Sequence, residues 1–127
     1  MPNIGELSKI WVCSSDKVKE AGTGVRFSLM MGREEVTAFV VRKIGKVCGY
    51  VNRCAHVAME LDWNLGEFFD STGNFLICAT HGALYEPLTG KCVEGPCLGA
   101  SLYKVEMCEE KGAIFWLPNY FLKPVVA

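Results

Sequence analysis

The chain has 127 residues, 50% of them apolar and 21% charged, with a formal net charge of -1, so it is long enough for one domain with a real core. It has no basic run that would favour nucleic acid, and no stretch reaches the roughly 18 to 20 apolar residues a membrane helix needs. The opening "MPNIGELSKIWV" lacks the basic start and apolar core of a secretory signal, so we expect a cytoplasmic protein. Seven cysteines are many for this length, and in a reducing compartment metal ligation outranks a disulfide framework.

In chain order, short runs rich in Val, Ile, Phe, Tyr and Trp predict strands at 9–14, 25–31, 35–43 and 46–52, then at 75–79, 83–87, 102–110 and 113–118. "MGRE" (31–34), "KIGK" (43–46) and "EKGA" (110–113) read as tight hairpin turns, with glycine supplying positive φ. The polar stretch from 14 to 24 is a loop or a short helical turn. Repeats and low-complexity segments are absent. The pattern predicts an all-β, antiparallel sandwich or barrel built as a single domain over 1–127. Residues 53–98 differ in character: they are loopier, rich in Gly and Pro, and hold both histidines.

Those histidines carry the chemistry. Each follows a cysteine closely, in Cys54-x-His56 and Cys78-x2-His81, with 21 residues between the two motifs. With cysteine at 7 of 127 positions, a chance cysteine at both offsets has a probability of about 0.003. Two thiolates and two imidazoles suit zinc or an iron–sulfur cluster. The one-residue gap between Cys54 and His56 is tighter than zinc-finger spacing, which lowers a structural zinc module to the rival reading.

The two motifs, with "HGALYEPLTGKCVEGP" (81–96) after the second cysteine, resemble the Rieske iron–sulfur family. The resemblance is close over roughly 46–106, and the flanking strands suit a complete Rieske domain. It implies a Rieske-like sandwich with a small cluster-binding subdomain at about 53–98, formed by two loops. It also implies one [2Fe–2S] cluster per chain, with Cys54 and Cys78 on one iron and His56 and His81 on the other. Two thiolates on a core of about +2 leave the centre near zero charge, where four would leave it near -2. The electron therefore enters more easily, at the imidazole-bound iron.

By the same resemblance Tyr85, Gly82 and Pro96 are expected around the cluster, with Tyr85 placed to bond a ligand sulfur and Gly95-Pro96 shaping a covering loop. The high-potential respiratory members carry an additional cysteine in each motif, joined as a disulfide. Here those positions are Ala58 or Met59 and Thr80, and Ala83 replaces a serine whose hydroxyl lies near a bridging sulfur. Losing such donors lowers the potential. The expected protein is a soluble ferredoxin of low to intermediate potential, like those of bacterial oxygenase systems. It would pass single electrons from a flavin-dependent reductase to a terminal oxygenase or another oxidoreductase, without catalysis of its own. It would be a monomer or a weak homo-oligomer. An accessory subunit resembling the nitrite-reductase small subunit is a second reading, and a redox sensor a third.

Four further expectations complete the reading. The segment between the motifs is longer than the family usually has, and its Trp63, Phe68 and Phe69 are expected to fold back onto the body. The competing view makes Glu60, Asp62, Glu67 and Asp70 an acidic docking lip. Cys13, Cys48 and Cys108 are expected as small buried apolar residues. Cys92 and Cys97 are expected as free thiols, with a loop disulfide or redox switch as the minority reading. The apolar tail "NYFLKPVVA" packs on the body or forms an oligomer contact.

Overall fold

The computed structural model describes residues 9–55, 59–62, 64–80 and 82–125. Eleven strands and one 3₁₀ turn are formed among these residues: β1 (Ile10–Ser14), the turn Ser15–Lys17, β2 (Val25–Met31), β3 (Glu34–Lys43), β4 (Lys46–Val51), β5 (Leu76–Ile77), β6 (Leu84–Tyr85), β7 (Cys92–Glu94), β8 (Lys104–Val105), β9 (Met107–Glu110), β10 (Ala113–Trp116) and β11 (Leu122–Lys123). All strand pairings are antiparallel. No helix of the described residues is long and apolar enough to cross a membrane.

The predicted hairpins form where the glycines place them. β2–β3 turns at Gly32, β3–β4 at Ile44-Gly45 and β9–β10 at Lys111-Gly112, with φ of +65°, +73° and +77° at the three glycines. Glu20 accepts both amides of the β3–β4 turn, Ile44 N–H at 2.6 Å and Gly45 N–H at 2.9 Å. Arg42 ties the 14–24 loop to the sheets: its Nε donates to Val18 O at 2.8 Å and its Nη2 to Glu109 at 2.6 Å.

The strands form three sheets in the orders β1-β10-β9, β11-β2-β3-β4-β8 and β5-β6-β7. The five-stranded sheet lies in the middle of the packing. One face of it gives Leu29, Val36, Ala38, Val51, Val105 and Leu122 to a core shared with Trp116. A smaller cluster of Cys13, Val18, Val40 and Ile114 extends that layer. The other face gives Phe39, Val41, Cys48 and Tyr50 to a core shared with Cys54, Leu61, Phe68, Leu76, Cys78 and Tyr85. This explains the unbroken apolar run Ala38–Val41. Successive side chains point to opposite faces, and both faces are covered.

Three strand expectations change, the first at β7 (Cys92–Glu94), which no predicted run covers. The run predicted at 102–110 is interrupted at Glu106, giving β8 in the middle sheet and β9 in the outer one. The tail contributes β11, with Leu122 opposite Met31 and fully buried, so it packs on the body. Cys13 and Cys48 are buried as expected, whereas Cys108 is only half-buried.

Candidate functional site

The site grows from the turn at each cysteine. Cys54 follows β4 after Asn52-Arg53, and its N–H donates to Met59 O at 2.7 Å. Cys78 follows β5 directly, and its N–H donates to Ala83 O at 2.9 Å. Each motif's cysteine is thus bonded to the residue five positions on, Cys54 to Met59 and Cys78 to Ala83. Gly82 N–H also donates to Cys78 O at 2.7 Å, within a turn where Gly82 has φ of +71°. The loops are tied together by Ala79 N–H, which donates to Leu61 O at 3.0 Å. Both cysteines are buried, Cys54 at 3% and Cys78 at 0% exposure, in the one apolar cluster that also holds Ala83 and Tyr85. His56 and His81 lie outside the described residues, as do Ala58 and Trp63.

Tyr85 sits at the centre of the described part. Its β6 position opposite Leu76 and Cys92 turns the ring into the core, and it is fully buried. Its hydroxyl oxygen accepts Ala55 N–H at 3.0 Å and lies 3.2 Å from Cys54 Sγ. Burial pushes the phenol pKa well up, and the bond with Cys54 raises it further. The hydroxyl therefore keeps its proton and can offer it to sulfur. A buried sulfur with a hydroxyl beside it suits a metal-bound thiolate, which has no hydrogen and can only accept.

The loop after the second motif brings a correction. Cys92 and Cys97, expected as free thiols, are joined as a disulfide with Cα atoms 6.0 Å apart. The reason is local. Gly95, at φ +107°, bends the chain back onto the second motif so closely that a Cβ there would lie 2.9 Å from Ala83 Cα. That bend closes the short span between the two cysteines. Cys97 Sγ then lies 3.3 Å from the Tyr85 hydroxyl. Pro96, next in the bend, is exposed.

The long segment between the motifs folds back, as expected, through Phe68, which is fully buried and stacks on Phe39 at 3.8 Å between centroids. Phe69 is only half-buried. Of the four acidic residues between the motifs, Glu60 and Glu67 are exposed, Asp70 is half-buried and Asp62 is drawn into the fold. Asp62 is 5% exposed: its Oδ1 accepts Asn52 Nδ2–H at 2.8 Å and its Oδ2 accepts Gly66 N–H at 2.9 Å. Arg26 supplies counter-charge from β2, with Nε 3.3 Å from Asp62 Oδ2 and Nη2 2.6 Å from Glu60. Asp70 is spent within its own turn, bonding Thr72 and Phe75.

Asn52 is the residue that sequence reasoning missed. Two positions before Cys54, it is 4% exposed, donates to Asp62 and accepts Leu61 N–H at 2.8 Å, fixing the first loop against the segment that follows. Its one visible sign is a polar residue ending an otherwise apolar strand, which turn chemistry explains equally well.

A family model for the Rieske [2Fe-2S] domain matches residues 8–120. The chain belongs to that family. A [2Fe–2S] cluster is accordingly its cofactor, and the buried sulfurs with the Tyr85 donor fit that group. Solved structures share the fold. The ferredoxin of carbazole 1,9a-dioxygenase from Nocardioides aromaticivorans IC177 aligns with a TM-score of 0.68 at 20% identity, over 88% of this chain and 99% of that one. The Sphingomonas yanoikuyae B1 ferredoxin aligns with a TM-score of 0.66 at 21% identity, over 87% and 99%. A chain in a complex of reduced oxygenase and oxidized ferredoxin in carbazole 1,9a-dioxygenase aligns with a TM-score of 0.66 at 16% identity, over 94% and 98%. A search of curated protein sequences finds no match.

Proposed function

We propose that this Rieske protein is a soluble ferredoxin that carries single electrons from a flavin-dependent reductase to a terminal oxygenase. The observation that carries the reading is the family match over 8–120 on a chain that spans 99% of a dioxygenase ferredoxin's length.

In this reading Cys54 and Cys78 hold one iron and His56 and His81 the other. The cluster supplies one-electron chemistry at near-zero net charge. This chain's residues do the rest. The two closed loops hold the cysteine sulfurs, Tyr85 offers a hydrogen bond to Cys54, and the Asn52–Asp62–Arg26 network holds the first loop. Residues 53–98 act as the cluster-bearing subdomain of a single 1–127 domain. Alanine at position 83 offers no hydroxyl to a bridging sulfur, which supports a potential below that of the respiratory members.

The test is anaerobic reconstitution of the purified chain. We expect two irons and two sulfides per chain, visible absorption, and an electron paramagnetic resonance signal on reduction with dithionite. Single alanine substitutions at Cys54, His56, Cys78 and His81 should each abolish the signal. Zinc retention without iron, or full cluster loading in any of the four variants, would overturn the reading.

A further inference from the structure

The proposed function leaves Cys92 and Cys97 unused, although their sulfurs sit against the site. Cys92 lies opposite Tyr85 in the β6–β7 register, and Cys97 Sγ is 3.3 Å from the Tyr85 hydroxyl. That hydroxyl already accepts Ala55 N–H, so its single proton has two neighbouring sulfurs, Cys54 at 3.2 Å and Cys97 at 3.3 Å. A disulfide sulfur has no hydrogen and is a weak acceptor, whereas a metal-bound thiolate is a strong one. With the disulfide closed, the proton goes to Cys54.

We propose that the Cys92–Cys97 pair is a thiol–disulfide exchange site for a dithiol reductant, and that its state sets, through Tyr85, the hydrogen bond on Cys54. The inference rests on Cys54 being a cluster ligand. The exchange is balanced: the dithiol is oxidised to its own disulfide, the Cys92–Cys97 S–S bond breaks, and the reductant's two S–H hydrogens end on Cys92 and Cys97. Cys97 then has a hydrogen to donate to the Tyr85 oxygen. Donation into a hydroxyl polarises its O–H toward the next acceptor, here Cys54. A stronger bond to the ligand sulfur favours the more negative, reduced cluster.

The pair is placed for such exchange. Cys92 and Cys97 are both buried, at 1% and 5% residue exposure, but they lie just beneath the surface, because residues 93–96 and 98–101 are all exposed. The bend at Gly95 brings this loop against Ala83 of the second motif, where a Cβ on Gly95 would lie 2.9 Å from Ala83 Cα.

The experiment uses the cluster-loaded protein, untreated or treated with dithiothreitol that is then removed. Alkylation of denatured samples with intact-mass analysis counts the thiols, and film voltammetry gives the midpoint. We expect two additional alkylated cysteines, mapped to 92 and 97, and a twofold easier reduction, about 18 mV upward at roughly 59 mV per tenfold. Tyr85→Phe should gain the same two thiols with no shift. Cys92→Ser with Cys97→Ser should match the treated wild type, and if that variant does not fold the wild-type comparison still decides. A bridge that resists the dithiol, an unchanged midpoint, or an equal shift in Tyr85→Phe would each overturn the proposal. Absence of iron and of the resonance signal in the untreated sample would instead count against the ferredoxin reading.

Discussion

Replacing Tyr85 with Phe removes one oxygen and keeps the ring that fills the core. Two interactions go with it: the bond to Cys54 Sγ at 3.2 Å and the acceptor for Ala55 N–H at 3.0 Å. A hydrogen bond to a charged partner is worth about 1.5–3 kcal/mol net and a neutral one about 0.5–1.5. The bond should therefore favour the reduced, more negative cluster over the oxidised one by about 1 kcal/mol. At roughly 1.4 kcal/mol and 59 mV per tenfold for one electron, the midpoint should fall by about 40 mV. Folding stability should fall by about 1 kcal/mol, because the half-buried Ala55 amide loses its partner. Film voltammetry reads the first and denaturant unfolding the second. A midpoint unchanged within about 10 mV, in a variant whose cluster content equals wild type, would refute the placement of the Tyr85 proton on Cys54.

Phe68→Ala deletes a fully buried ring stacked on Phe39 and should cost about 3–5 kcal/mol, read as a lower denaturant midpoint. Asn52→Leu leaves Leu61 N–H and Asp62 Oδ1 short of a partner and should cost about 2–4 kcal/mol, with faster iron loss on chelator challenge than in wild type. Gly95→Val imposes a β-branched side chain at φ +107° against Ala83 and should cost at least about 1–2 kcal/mol by thermal unfolding. Glu109 has its carboxyl held below the usual glutamate value, first by its hydrogen bond with Arg42. Its stabilising effect is therefore present above the ordinary glutamate pKa and is lost as pH falls through the lower folded value. The gap in melting temperature between wild type and Glu109→Gln should hold at neutral pH and close progressively below about pH 4.3.

The loops at the site were legible in part. The motif spacing announced Cys54 and Cys78 as partners, and the two cysteines do enter one buried cluster with Tyr85. Nothing in the spacing announced Asn52 or Arg26, because their roles depend on Asp62, which lies in a loop ten residues on from Asn52 and far along the chain from Arg26 on β2. The acidic residues between the motifs illustrate the same gap. Read along the chain they lack a basic neighbour, yet β2 brings Arg26 beside Glu60 and Asp62.

Local chemistry determined what the sequence could settle by itself. β-branched and aromatic runs made strands, glycines at 32, 45 and 112 made the hairpins, and paired cysteine–histidine spacing carried the family resemblance. Tertiary structure decided everything that depends on which distant residues meet. Ala38–Val41 is continuous and apolar because layers cover both faces of β3, and Asp62 is buried because Arg26 of β2 and Asn52 come to meet it. The division has a physical reason. Backbone preference and side-chain period act over a few residues, whereas burial and ion pairing depend on loops closed over tens of residues.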